Sequence, residues 1–169
     1  MSNVIPIPRL VVREGSSTDR ESVAEMVEEV WHETYATHLP PEWLQQRNRE
    51  FFSQLAGDPG QQGWVAEIGN RVVGYGRVAA NCIDQIWVSA RVRRRGVGSA
   101  LLEPMLNSIR EKGFDFAQAG CEDFNLPARG FLGATGWKLI HAEPQPLGEG
   151  HGCNTLVHSI ALRSSRLTE

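Results

Sequence analysis

The chain has 169 residues, of which 41% are apolar and 22% charged, and its net charge is -3. That length suits one globular domain with its own core, and the acid excess argues against a general nucleic-acid binder, whose domain is usually basic. Its three cysteines, Cys82, Cys121 and Cys153, include no CxxC pair, which argues against a disulfide framework or a zinc site. No apolar run reaches the length of a signal peptide core or a transmembrane helix, so the sequence predicts a cytoplasmic protein with no membrane partner.

"RLVVRE" (9–14) predicts a short strand. In "STDRE", Thr18 stands as an N-cap with Glu21 three residues on, the capping-box pattern. Val23, Met26, Val27, Val30 and Trp31 recur at helical spacing, so one face of this helix is expected in the core, with Tyr35 a turn further on. "HLPPEWL" breaks that helix and starts a second, with proline in its first turn and apolar positions at Trp43, Leu44, Phe51, Phe52 and Leu55. "GDPGQQG" is a loop, and the period then changes. "WVAEI", "RVVGYGRV" and "CIDQIWV" predict a three-stranded meander whose first turn is Gly69-Asn70. After an arginine-rich stretch a helix carries Leu101, Leu102, Met105, Leu106 and Ile109, closed by Lys112-Gly113. Pro104 falls inside this helix, where it removes one backbone bond and bends the axis. "FDFAQAGC" predicts another strand and "NLPARGFLGATG" a short helix capped by Asn125. "WKLIHA" and "TLVHSIAL" are the last strands, joined by the glycine-rich loop "EPQPLGEGHGC". Residues 1–8 and 164–169 read as loose ends. The order predicts a single mixed α+β domain over 1–169 around one central sheet.

"RVRRRGVGSALL" (91–102) packs four arginines into five positions, followed by two glycines and an apolar run. A helix start offers backbone N–H groups with no intrahelical partner and partial positive charge. Glycines let that backbone approach a phosphate, and arginines at the rim add charge-assisted hydrogen bonds. The pattern is not a P-loop, because the lysine and hydroxyl residue of GxxxxGK[ST] are missing. Nor is it the dinucleotide fingerprint, because Leu101 stands where the third glycine would be. A solvated basic turn is the plain alternative.

With those motifs in view, the chain resembles the GNAT superfamily of acyl-CoA-dependent N-acetyltransferases. The family's aliphatic strand, short linker and (Gln/Arg)-x-x-Gly-x-(Gly/Ala) helix start read here as "IWVSARVRRRGVGSALL". Its second motif, Asn-x-x-Ala-x-x-Phe-Tyr-x-x-x-Gly-Phe, reads as "NLPARGFLGATGW". The resemblance covers nearly the whole chain. It implies a mixed, mostly antiparallel twisted sheet of about seven strands flanked by about four helices. It implies acetyl-CoA as co-substrate, no metal, a primary amine of a small molecule or peptide as acceptor, and no nucleic acid; homodimers are common among relatives.

Carried over residue by residue, the backbone from Arg94 through Arg95, Gly96, Val97 and Gly98 to Ser99 would hold the CoA pyrophosphate, flanked by Arg93. Ile86, Trp87 and Val88 would offer backbone groups to the pantetheine arm, Asn125 would hydrogen-bond to it, and Ala128 and Phe131 would lie beside it. Leu132 departs from the family, which often has there a tyrosine placed to protonate the leaving thiolate. Ala90 replaces a common proline.

Attack by an amine on a thioester needs a neutral amine, so a base helps. Asp84 is the first candidate: strand alternation puts it on the face of Ile86, two residues on. Glu122 and Asp123, just past the next strand, are weaker candidates. Cys121 has no adjacent base and reads as a small buried hydrophobe rather than a nucleophile. The five histidines show no metal-ligand spacing. In this fold the first two helices and their connection usually wall the acceptor pocket, which makes Trp31, Tyr35, His38 and Trp43 its candidate lining; core packing is the favoured role for Trp31 and Trp43, while Tyr35 and His38 suit either. A non-catalytic acyl-CoA-binding module on the same fold is the alternative to an enzyme.

Overall fold

The computed structural model describes residues 9–147 and 151–162, so the expected loose ends lie outside the described residues. Among them seven strands form one sheet: β1 (Leu10–Glu14), β2 (Gly63–Ile68), β3 (Arg71–Ala79), β4 (Cys82–Val88), β5 (Phe116–Glu122), β6 (Lys138–Pro146) and β7 (Gly152–Ala161). Their spatial order is β1-β2-β3-β4-β5-β7-β6. Every neighbouring pair is antiparallel except β4 and β5, which are parallel. Among the described residues five helices flank the sheet: α1 (Arg20–Tyr35), α2 (Pro41–Gln45), α3 (Arg49–Ala56), α4 (Val97–Glu111) and α5 (Leu126–Ala134). None among the described residues is long and apolar enough to cross a membrane.

The apolar stripe of α1 is buried as its spacing predicts: Val23, Met26, Val27, Val30 and Trp31 pack with Phe52, Val65 and Tyr75 on one side of the sheet. The other side is covered by α4, whose Leu101, Leu102, Met105 and Ile109 meet Val73, Val78, Ile83 and Ala119. Two glycines explain how closely α4 sits. A Cβ at Gly74 would lie 2.9 Å from Leu101 Cδ1, and one at Gly76 would lie 2.4 Å from Met105 Sδ. The "VVGYGRV" strand thus clears a groove for the helix. The Gly69-Asn70 turn is left-handed at both positions, φ 58° and 60°, the geometry that matches the twist of a two-residue hairpin.

Three expectations change. The capping box belongs to Ser16 and Asp19 rather than Thr18 and Glu21, because a 3₁₀ turn over Ser17–Asp19 precedes α1. Asp19 also takes both guanidinium arms of Arg13, which reaches Glu67 as well; this clamp holds the Asp19 carboxyl below its ordinary range. The single second helix divides into α2 and α3, because Asn48 caps a fresh start by accepting from Phe51 N–H at 3.0 Å. Most of the supposed glycine-rich loop is strand: β6 runs to Pro146 and β7 starts at Gly152.

Candidate functional site

The parallel strands β4 and β5 pair at only two positions, Cys82 with Gln118 and Ile83 with Ala119. Both strands continue, β4 to Val88 and β5 to Glu122. The outer edge of β4 is taken by β3 as far as Gly74–Val88, and that of β5 by β7 as far as Glu122–Thr155. Their inner edges therefore diverge into a wedge with no strand between them among the described residues. Backbone groups along such an edge still need partners. An extended chain carrying amides can supply them as a further strand would. Ile86, Trp87 and Val88 line this edge. Ile86 and Val88 pack toward the α4 core and Trp87 toward the α1 side, where its indole N–H donates to Gln85 at 2.9 Å.

Because α4 follows β4 and α5 follows β5, and the two strands are parallel, both helices start at the open end of the wedge. Gly96 stands at the N-cap of α4 with φ 80°, and no side chain caps the helix. Val97, Gly98 and Ser99 keep their N–H groups unpaired within the helix, whose first such bond runs from Ala100 N to Gly96 O at 2.9 Å. Nothing lies within 4 Å of where a Gly96 Cβ would be, so this backbone faces open space. The arginines divide. Arg91 pairs with Glu29 and Arg93 with Glu33, at 3.4 and 3.5 Å, which fastens the turn to α1. Arg94 and Arg95 are exposed and have no ion-pair partner among the described residues. Gly98 has a separate reason to lack a side chain: a Cβ there would lie 2.8 Å from the Phe131 ring, so α4 and α5 touch at this point. Asn125 caps α5 by accepting from Ala128 N–H at 3.2 Å, which leaves its amide N–H₂ for another acceptor. Ala128 is half-buried, and Leu132 is buried in the α4 core. An uncapped glycine-led helix start beside an unpaired strand edge fits a ligand with a pyrophosphate and an extended amide arm.

On the α1 side of the wedge, Tyr35 donates its phenol to Glu122 Oε1 at 2.7 Å. Burial and the Glu122 charge push the Tyr35 pKa above the ordinary phenol range. Glu122 is half-buried and has no cationic partner among the described residues. Trp31 is buried and stacks beneath Tyr35 at 5.2 Å, so it supports the wall rather than forming its surface. His38 stacks on Phe124 at 4.1 Å, and Phe124 meets Tyr35 edge-on at 5.7 Å. Sequence reasoning passed over Phe124; the available signal was an aromatic residue just past the β5 end, beside the Asn125 cap. Asp123 turns to Asn154, whose backbone and side-chain amides hold its carboxyl below its ordinary range. Burial pushes the Cys121 thiol up to about 11, which suits a buried hydrophobe and not a nucleophile. No group of three metal ligands occurs among the described residues.

Asp84 lies elsewhere. A β-bulge between β3 and β4 pairs Val78 with Ile83 and Arg77 with Gln85, so Asp84 is the extra residue. The bulge resets the alternation: Ile83 and Ile86 both pack toward α4, and the expected shared face of Asp84 and Ile86 is lost. Asp84 instead accepts from Arg77, which also donates to the Ala56 carbonyl at the end of α3. This pair sits at the closed end of the wedge, near the β3–β4 turn.

Residues 23–137 match the model of the acetyltransferase (GNAT) family. No curated protein matches the chain at a significant level. Among solved structures, apo YjaB from Escherichia coli superposes with a TM-score of 0.71 at 18% identity, covering 89% of this chain and 97% of that one. YncA from Salmonella typhimurium, solved with its cofactor acetyl-CoA, gives 0.69 at 16% identity, with 95% and 98% covered. The PaiA N-acetyltransferase from Thermoplasma acidophilum, solved with coenzyme A, gives 0.68 at 15% identity, with 91% and 99% covered. At these identities the likeness is one of fold.

Proposed function

Because this chain belongs to the acetyltransferase (GNAT) family, we propose that it transfers an acetyl group from acetyl-CoA to a primary amine by direct attack in a ternary complex. The observation that carries the reading is the wedge between β4 and β5 with the uncapped α4 start at its mouth. Acetyl-CoA supplies an activated thioester. The N–H groups of Val97, Gly98 and Ser99 bind its pyrophosphate, with Arg94 and Arg95 at the rim. The inner edge of Ile86–Val88 and the free amide of Asn125 orient its arm.

Glu122 is the better placed of the two candidate bases. It stands at the end of β5 beside the wedge, and its one side-chain hydrogen-bond partner among the described residues is the Tyr35 phenol, on one oxygen. Its second oxygen accepts the proton that the amine gives up as nitrogen bonds to the acetyl carbon and the carbon–sulfur bond breaks. Tyr35 is a positioning residue that fixes the carboxylate. Asp84, engaged by Arg77 at the closed end, holds the bulge instead. The three free cysteines suit a reducing compartment, in keeping with a cytoplasmic enzyme.

The second reading, a non-catalytic acyl-CoA-binding module, draws on Leu132, which is buried and puts an aliphatic side chain where relatives often carry a phenol. A thiol with a pKa near 8.5 leaves tolerably without acid help, so this does not outweigh the Glu122 site. Calorimetric titration with acetyl-CoA, using ATP as the control anion, tests the cradle. Selective binding of acetyl-CoA is expected, and equal binding of ATP would reduce the turn to a basic helix start. Turnover on a panel of amines then separates enzyme from binding module.

A further inference from the structure

The wall that carries Tyr35 also carries a charged group that the proposed reaction does not use. Arg47 lies in the turn between α2 and α3, with its backbone N–H donating to Leu44 O at 3.2 Å. Its guanidinium carbon sits 4.2 Å from the Phe51 ring centroid and 5.6 Å from that of Trp43. The residue is half-buried, and its Nε is sealed from solvent with no acceptor. Three other arginines that turn inward are met by carboxylates, Arg13 by Asp19 and Glu67, Arg77 by Asp84 and Arg93 by Glu33, while Arg110, whose Nε is likewise sealed, donates to Asn107 Oδ1. Arg47 has no such partner among the described residues. The nearby Glu50 accepts instead from Gln54 at 2.8 Å.

The guanidinium carbon lies over the rings of both Phe51 and Trp43. Stacking fixes the plane of a guanidinium and leaves its N–H edge for hydrogen bonds, but it does not neutralise the charge. The partner that matches a planar N–H edge is a planar oxyanion, a carboxylate above all. The position matters as much as the group. Phe51 meets Trp31 edge-on at 6.2 Å, Trp31 stacks on Tyr35 at 5.2 Å, and Tyr35 donates to Glu122. A chain of ring contacts, passing beneath the surface at the buried Trp31, therefore links a carboxylate without a cation to a guanidinium without an anion among the described residues.

We propose that Arg47 anchors an oxyanion of the acceptor, so that the acceptor is an amine that also carries a carboxylate: the amine turns to Glu122 and the carboxylate to Arg47. This rests on the acetyltransferase reading above. The opposite charges at the two ends also set the polarity of binding. A diamine would bring a second cation to Arg47 and be disfavoured.

The test pairs each amino acid with the amine that lacks its carboxylate: phenylalanine with phenethylamine, lysine with cadaverine, glycylphenylalanine with its C-terminal amide. The pairs span different separations of amine and carboxylate. Wild type is expected to favour the carboxylate member of at least one pair by about tenfold or more in kcat/KM, the scale of one charge-assisted contact. Arg47→Met keeps a side chain that packs against aromatic rings, and it should bring that ratio to near one. Arg47→Lys, which keeps the charge but not the planar edge, should fall between. A wild type with no preference in any pair overturns the proposal, and so does an Arg47→Met variant that keeps the wild-type ratio. If no amine is turned over, the same carboxylates are titrated calorimetrically into the CoA-loaded protein. Binding that Arg47→Met abolishes upholds the anchor, and absence of binding to wild type overturns it. Turnover without preference would sink the anchor and leave the acetyltransferase reading standing; binding without turnover would do the reverse.

Discussion

Gly98 is where the proposed cofactor cradle and the packing of the fold make separable demands. In Gly98→Ala the new Cβ would lie 2.8 Å from Phe131 Cε2 and 3.0 Å from Cζ. Carbon atoms prefer about 3.5–4.0 Å, so the ring or the start of α4 must give by roughly 1 Å. Overpacking of this kind costs about 1–3 kcal/mol, offset by about 0.5–1 kcal/mol because alanine is the better helix former. The net loss, at most about 2.5 kcal/mol, lowers Tm by up to roughly 10 °C in a domain of this size. The assay is thermal unfolding of Gly98→Ala, Phe131→Ala and the double variant, with acetyl-CoA titration of each. With the ring gone, Gly98→Ala should become neutral or slightly stabilising, so the double variant loses less than the sum of the two single losses. Gly96→Ala is the control: nothing lies within 4 Å of its Cβ, so it costs only the strain of φ 80°, about 1–2 kcal/mol, whatever stands at 131. An equal Tm loss for Gly98→Ala in both backgrounds would refute the contact between α4 and α5, and with it this explanation of the second glycine.

Glu122→Gln should slow acetyl transfer by about 10²–10⁴-fold with acetyl-CoA affinity unchanged, while Asp84→Asn stays close to wild type; the reverse order would return the base to Asp84. The chain has two tyrosines, and both are pushed up, Tyr35 above the ordinary phenol range and Tyr75 to about 12. The unfolded chain loses these protons near pH 10 and the folded chain later, so above about pH 10 the folded state binds more protons and stability falls as pH rises. Phenolate absorbance should therefore appear only with loss of the fold, and a reversible rise near pH 10 in the folded protein would show a tyrosine in water. Pro104 interrupts α4 between Val97 and Glu111, where proline costs about 3 kcal/mol relative to alanine. Pro104→Ala is expected to raise Tm by several degrees; a fall would mean that the proline ring, in the groove it shares with Leu10 and Val12, packs well enough to outweigh the missing bond.

Local rules carried much of this chain. Helical spacing placed the buried face of α1, because a helix must bury its apolar stripe whatever it packs against. The Gly69-Asn70 turn and the Asn125 cap were legible because each depends on a residue's own backbone preference or on a partner three positions away. The glycine-led start of α4 was legible for the same reason. Contacts between distant segments were not. Strand alternation put Asp84 beside Ile86, but a bulge is a property of two strands in register, and the one between β3 and β4 turned Asp84 to Arg77. The break at Asn48 was decided by a cap competing with continued helix, a small local difference that packing settled. The wedge exists because β4 and β5 separate after two pairs, and nothing within either strand records where its neighbour leaves. Tyr35 and Glu122 are 87 residues apart in the chain, and Arg47 reaches the same wall only through Phe51 and Trp31. Local propensity wrote the elements into the sequence, while the bulge, the wedge and the meeting of α1 with β5 came from the sheet, because backbone pairing and side-chain burial are settled between segments and not within them.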